Sequence, residues 1–530
     1  MSSRRRLDTD SMAVSSSPAD LSAALVLQPV AALDWLVILP VAWCISIGAI
    51  LMMIRHKGMA QPLVAIAGLA VLVALDAGLL WHVAQSGPVT MVMGRWLPPF
   101  GIAFTVDLTG ALFALTSAVV ALVGAVAAID DVNASGRRYG FYPFLLLLMA
   151  GVSGAFLTGD VFNLYVWFEV LLISSFGLLV LGAEREQIDG AVKYGFLNLV
   201  ATTLFLLTTG YLYGIFGTLN MADIARKAPG LQSVAPLVTL TALYTLAFAM
   251  KAAAFPVNFW LPASYHTPRI VVSALFAGLL TKVGIYALIR IGVMLFPAER
   301  EQLGLVLAIV AALTMLTGSF GALAQSDTRR LLGYLVISGI GAMLAGIAIG
   351  GPDAISGVIF YAVHSMLVMT ALYLAAGLAA RLGGGFSLGS AGGLYRHHLL
   401  FTALSLMLFF SVSGLPPFSG FWPKVMLVKA AINGDVSWLA AILLLSGFLT
   451  MIATGRVFLL AYWRPVDVPP VVAPQPLSFS ALLPLLVLTV SSILIGVLPE
   501  TLLNLAQQAA STLAEPSAYL HSVFPAGGAP

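Results

Sequence analysis

Apolar residues in this chain gather into runs separated by short polar connections. Fourteen runs can be read, roughly over 35–54, 62–84, 104–128, 141–158, 161–182, 194–217, 235–258, 270–293, 304–324, 331–350, 355–380, 399–432, 437–462 and 480–499. About 20 apolar residues is the length at which an α-helix crosses the hydrocarbon layer of a bilayer. Helices also satisfy their own backbone hydrogen bonds there, which isolated strands do not. The pattern therefore predicts an all-α integral membrane fold of about 14 transmembrane helices within 35–500. Residues 1–34 are polar, with Arg4, Arg5 and Arg6 far upstream of the first run. They are expected to form a disordered tail, in which Met12 is an alternative start. Residues 501–530 are expected to be a short C-terminal tail.

Two runs contain breaks. The seventh continues through Lys251, Pro256 and Pro262, and the twelfth is interrupted at Pro416–Pro417. Proline removes a backbone donor and clashes with the preceding turn, so both helices should be discontinuous. Paired broken helices point to inverted repeats around a midplane ion site. Counted from the breaks, helices four to eight and nine to thirteen are the two units.

Composition narrows the class. Hydrophobic residues make up 60% of the chain and charged ones only 9%, with a mean hydropathy of +1.01. Water would demand more polar cover than that. The net charge of +3 is spread over single or paired basic residues, which gives no nucleic-acid surface. Cys44 is the one cysteine, so neither a disulfide framework nor an iron–sulfur cluster is available. No haem-attachment, dinucleotide-binding or Walker motif is present, so no cofactor is expected, and redox or nucleotide chemistry would need another polypeptide. Connections after odd-numbered helices carry about 13 Lys and Arg, and those after even-numbered helices about five, Arg290 included. The odd connections should be cytoplasmic, which places both termini on the outer side.

Against this background the charges inside apolar runs stand out, because each costs about 2.5–3.5 kcal/mol at helix centre on insertion scales. They are Glu169, Lys251, Lys282, His364 and Lys424. A lysine can give up its proton when buried, and a nearby carboxylate favours its charged form, whereas an arginine stays charged. The set therefore suits a proton relay, with Glu169 tuning Lys251, water filling the gaps, and Lys424 in the outer half of helix twelve as the exit-side site. Asp76 is a second site or a helix-pairing residue. Asp107 lies near its helix start, where a carboxylate also suits the helix dipole. His266, in the YHTPR loop, is a candidate gate at a cytoplasmic entrance. No residue set suggests catalysis or an oxygen-rich metal cage.

At these positions the chain resembles the antiporter-like proton-translocating family. Respiratory NADH:quinone oxidoreductase, membrane-bound hydrogenases and Mrp-type multisubunit Na+/H+ antiporters share that family. The matching stretches include VDLTGALFAL, GDVFNLYVWFEVLLISSFGLLVLG, FAMKAAAFPVNFWLPASYHTP, VSALFAGLLTKVGIYALIR, DTRRLLGYLVISGIG and SGLPPFSGFWPKVML, between about Asp107 and about Lys429. The resemblance implies fourteen core helices, two inverted five-helix repeats and a central polar axis. It carries relay roles to Glu169, Lys251, Lys282, His364 and Lys424. The GDVFNLYVWFEV and PPFSGFWPK stretches look like the D-type subunits of Mrp antiporters. Lys424 differs from the glutamate of one respiratory subunit type. The SYHTP loop departs from the histidine-plus-acid pattern of respiratory relatives, so the resemblance passes no gating role to His266.

The expected function is thus a proton-translocating subunit of a multisubunit monovalent cation (Na+)/proton antiporter, a secondary transporter and not an enzyme. Its partners would be other Mrp-type subunits, the bilayer, H+ and Na+, with no nucleic acid, in a bacterial inner membrane. The alternative is a membrane-arm subunit of a respiratory NADH:quinone oxidoreductase or membrane-bound hydrogenase. A free-standing solute carrier would instead show a roomier polar pocket.

Overall fold

The computed structural model describes residues 25–26, 30–98, 100–389, 392–465 and 477–524. Most of the expected N-terminal tail lies outside the described residues. Ten helices among the described residues are long and apolar enough to cross a membrane, and four more are apolar but shorter. In chain order these are α1 (Leu39–Met53), α2 (Ala60–Ser86), α3 (Leu108–Asp131), α4 (Phe141–Leu157), α5 (Val161–Leu179), α6 (Arg185–Phe216) and α7 (Leu237–Ala252). They continue as α8 (Ile270–Ile289), α9 (Gly304–Ala324), α10 (Thr328–Ile349), α11 (Gly351–Gly383), α12 (Leu399–Ser413), α13 (Ser437–Val457) and α14 (Phe479–Val497). Two more helices follow, α15 (Glu500–Ala514) and α16 (Ser517–Val523).

The 33-residue α11 is the axis of the bundle. It packs against α3, α8, α10, α12, α14 and α15, and the most apolar stretches of α8 and α11 are wholly buried. Small residues allow this closeness: a Cβ on Gly278 of α8 would fall 2.2 Å from the Thr370 hydroxyl of α11. Several helix starts are set by side-chain caps. Asp107, Asp160 and Asp327 accept from backbone N–H groups in the first turns of α3, α5 and α10, satisfying donors that a helix end leaves open.

The structure corrects several expectations. Helix three does not begin at 104. Ala103–Val106 (β2) pairs antiparallel with Val89–Val92 (β1), and Asp107 caps the helix that follows. A small ribbon is thus added to an otherwise helical fold. Helix seven stops at Ala252, where Ala253 takes a left-handed conformation, and a short helix, Trp260–Ser264, follows the break. Helix twelve is two pieces, α12 and Phe421–Asn433, separated at Gly414, which also has positive φ. Residues 501–523, expected to lie in a short C-terminal tail, belong to α15 and α16. Amphipathic α15 packs on α3 and α11, and α16 packs on the ribbon. Arg290, counted at the edge of an even-side connection, is fully buried in a π-helical turn that continues α8.

Candidate functional site

Three of the five relay candidates, Lys251, Lys282 and His364, are buried, and Lys424 is half-buried beside a cavity. Lys251 sits in the last turn of α7, just before the break. The C-terminal carbonyls of a half-helix favour a cation there. Its ammonium lies 5.1 Å from the centre of the Phe168 ring. It lines a cavity of about 10 Å³ with Tyr194, Asn198, Trp260 and Leu280, which is room for about one water. Lys282 is fully buried in α8 and donates to the Ala277 carbonyl at 2.6 Å.

His364 is buried in α11, with Nδ1 2.8 Å from the Ser419 hydroxyl. Ser419 and Ser411 both reach Ser492 of α14, at 2.8 and 2.7 Å. The histidine is thus tied to a knot of hydroxyls at the break of helix twelve. Both Lys282 and Lys424 lie within electrostatic reach of it. Lys424 is the fourth residue of Phe421–Asn433, so it stands just past the break, in the second piece of helix twelve. Its ammonium donates to the carbonyls of Val412 and Ser413, at 3.0 and 2.7 Å. A second cavity of about 10 Å³ adjoins it, lined by Ser338, Tyr361, Ser446 and Thr450. Ser338, Ser446 and Ser319 contact one another at 2.8–3.1 Å.

Among the described residues no hydrogen bond joins any two of the five candidates directly. Lys282, His364 and Lys424 are brought together electrostatically, and Lys251 is set beside Glu169 in the same sense. Glu169 itself is not inside the bundle. It is half-buried on the side of α5 that also exposes Phe162, Val166 and Ile173. Those residues and Glu169 are three to four apart and therefore share one helix face. The i+3 and i+4 spacing was visible beforehand, but its direction depends on which neighbours cover α5.

The accessory candidates separate cleanly. Asp107 caps α3 through Gly110 N–H at 2.9 Å and pairs with Arg290 at 2.5 Å, both side chains buried. Arg290 also donates to the Tyr286 hydroxyl, which donates to the Phe156 carbonyl, and its guanidinium lies over the Tyr519 ring of α16. Asp76 is fully buried on α2, and neither carboxylate oxygen has a hydrogen-bond partner.

His266 lines a crevice of about 750 Å³ with Arg185, Glu186, Asp189, Lys193 and Arg330. Its Nδ1 is 2.8 Å from the Pro262 carbonyl and its Nε2 is 3.1 Å from an Arg330 nitrogen. Arginine can only donate, so Nε2 accepts and the proton is assigned to Nδ1. Burial, then the Arg330 charge, push this imidazole below its ordinary pKa. Sequence reading missed the serine groups and the Arg290 partnership. Small hydroxyls inside apolar helices were the available signal, but on their own they do not say which helices they bridge.

Residues 158–450 match the family described as NADH:quinone oxidoreductase/Mrp antiporter, TM. The D-type subunit of the Na(+)/H(+) antiporter of Alkalihalophilus pseudofirmus is 36% identical over 492 residues, covering 92% of this chain and 99% of that protein. A chain of the Mrp complex from Dietzia sp. DQ12-45-1b superposes with a TM-score of 0.87 at 28% identity, covering 93% of this chain and all of that one. A chain of the membrane-bound sulfane sulfur reductase, an archaeal respiratory membrane complex, superposes with a TM-score of 0.85 at 26% identity, covering 92% of this chain and 99% of that one. The chain is therefore a multi-pass membrane protein belonging to the NADH:quinone oxidoreductase/Mrp antiporter transmembrane family.

Proposed function

We propose that this chain is the D-type, proton-translocating subunit of a multisubunit Na+/H+ antiporter in a bacterial inner membrane, a secondary transporter. Protons pass along Lys251, Lys282, His364 and Lys424, with Glu169 setting the charge balance at Lys251. The observation that carries this reading is three lysines and a histidine within the apolar helices, Lys251, Lys282 and His364 buried and Lys424 half-buried, with water-sized cavities beside Lys251 and Lys424. The 36% identity to a component of a Na+/H+ antiporter supplies the cation. Water bridges the remaining gaps, since the side chains do not touch.

The ten long and four shorter apolar helices together serve as fourteen crossings over 35–500. The units α4–α8 and α9–α13 form inverted repeats, supported by a break in the fourth member of each, α7 and α12. Both termini lie outside. Burial of Arg290 takes one of the about five even-side charges out of the loops, leaving about four, which strengthens the inside bias. The half-buried Glu169 face is covered by a neighbouring protein of the complex, because a carboxylate turned to lipid is costly.

Everted vesicles from antiporter-deficient cells expressing the whole complex test the reading through Na+-dependent dequenching of a pH dye. Glu169→Ala and Lys251→Ala should each abolish the response with expression intact. Wild-type transport in both would sink the relay. Likeness to the sulfane sulfur reductase chain favours a second reading, a membrane-arm component powered by electron transfer elsewhere. No Na+ response from the complete complex, with inhibitor-sensitive NADH oxidation, would select it.

A further inference from the structure

Among the described residues Asp76 is the buried acid with both carboxylate oxygens unpartnered; Glu299 has one such oxygen. Asp107 has a capped N–H group and Arg290, Asp223 has Arg226 and Lys227, and Asp160 caps α5. Asp76 is 0% exposed near the middle of the 27-residue α2, and both its oxygens lack a hydrogen-bond partner. A residue kept to pair helices would show such a bond, because a buried polar group without one is destabilising. The ionisable neighbour that faces it is Cys44 of α1, also buried and uncharged in its thiol form. The ionisable residues of α3 lie at its far end, Asp130 and Asp131, and α4 offers Tyr142 at its start. The turn Ala32–Val37 also packs on α2 and brings Asp34, which pairs with His82 near the end of α2 at 3.4 Å. Helices α1, α3 and α4 carry no lysine, arginine or histidine.

An ionised carboxylate without a partner is costly inside a membrane helix, and a bound proton removes the charge without any further ligand. A Na+ ion would need several oxygens around it, and the Asp76 carboxylate offers two. We propose that Asp76 is a proton-binding site outside the lysine row, which loads and unloads during the transport cycle. Its placement among α1, α2, α3 and α4 sets it apart from the helices that carry the relay, so it goes beyond the function proposed above.

Treatment of the assembled complex in vesicles with N,N′-dicyclohexylcarbodiimide tests this, because the reagent attacks carboxyl groups that carry their proton in an apolar setting. Mass spectrometry of the α2 peptide should show an adduct on Asp76 that is lost as the pH is raised and is unaffected by Na+. The Lys251→Ala complex should form the same adduct, which separates this site from failure of the relay. Asp76→Asn, close in shape, should assemble normally and show a lower Na+-dependent proton flux with an altered pH profile. Absence of the adduct at every pH overturns the proposal, as does an Asp76→Asn flux and profile matching wild type. Protection by Na+ overturns the proton assignment in favour of a sodium site.

Discussion

The Lys424 ammonium donates to the Ser413 carbonyl at 2.7 Å, so a lysine from the second half of a broken helix caps the end of the first half. The break leaves carbonyls with no intrahelical partner, and their partial negative charge holds an ammonium. One side chain therefore joins the two halves, and in the proposed relay the same ammonium exchanges its proton. Lys424→Arg should keep the positive charge and its donors but end proton exchange, because arginine does not deprotonate. The complex should assemble in wild-type amounts on native gels and give no Na+-dependent dequenching. Normal dequenching would show that Lys424 is only a cap.

Gly414 makes that contact possible. Its φ is +85°, and a Cβ there would fall 2.5 Å from Lys424 Cδ. Gly414→Ala should therefore displace the lysine and strain the turn, at a cost of about 1–3 kcal/mol. A lower Tm and a transport loss resembling that of Lys424→Ala are the expected measurements.

The Asp107–Arg290 pair links the start of α3 to the end of α8, with Tyr519 of α16 over the guanidinium. Removing either partner alone leaves a buried charge uncompensated, at about 3–5 kcal/mol. Asp107→Leu and Arg290→Met should each reduce the assembled complex sharply, whereas the double variant should recover most of it. Thermal unfolding of the purified complex reads this directly. Equal loss in all three would mean that the pair is needed as charges.

His266 gives a pH prediction whose sign follows from its surroundings. Burial and Arg330 favour the neutral imidazole in the folded protein. Its contribution to stability is thus intact above the unfolded value of about 6.5, and is lost as the pH falls through the lower folded value. Relative to His266→Gln, the wild type should lose Tm on acidification below about pH 6.5. Between about pH 7 and 9, the difference between the two should stay constant. A difference that changes across the alkaline range instead would contradict the assigned neutral state.

The lysine row was legible because membrane helices tolerate so few charges that each one marks itself. Apolar length likewise exposed the crossings, and proline exposed both breaks. What remained hidden was direction. Glu169 and Lys251 look equally interior in a linear reading, yet the first lies half-buried on a side face of α5 and the second lines a cavity. Asp107 and Asp76 are both single carboxylates in apolar runs, yet one has Arg290 and the other has nothing.

The sequence by itself therefore determined the membrane class, the broken helices and the set of costly charges. These depend on local free energy: apolar length, missing backbone donors and the burial of ions. Only the tertiary structure decided which charges are paired, which face a cavity and which face outward. Partners such as Asp107 and Arg290 stand 183 positions apart, and the packing of α3 against α8 creates their contact.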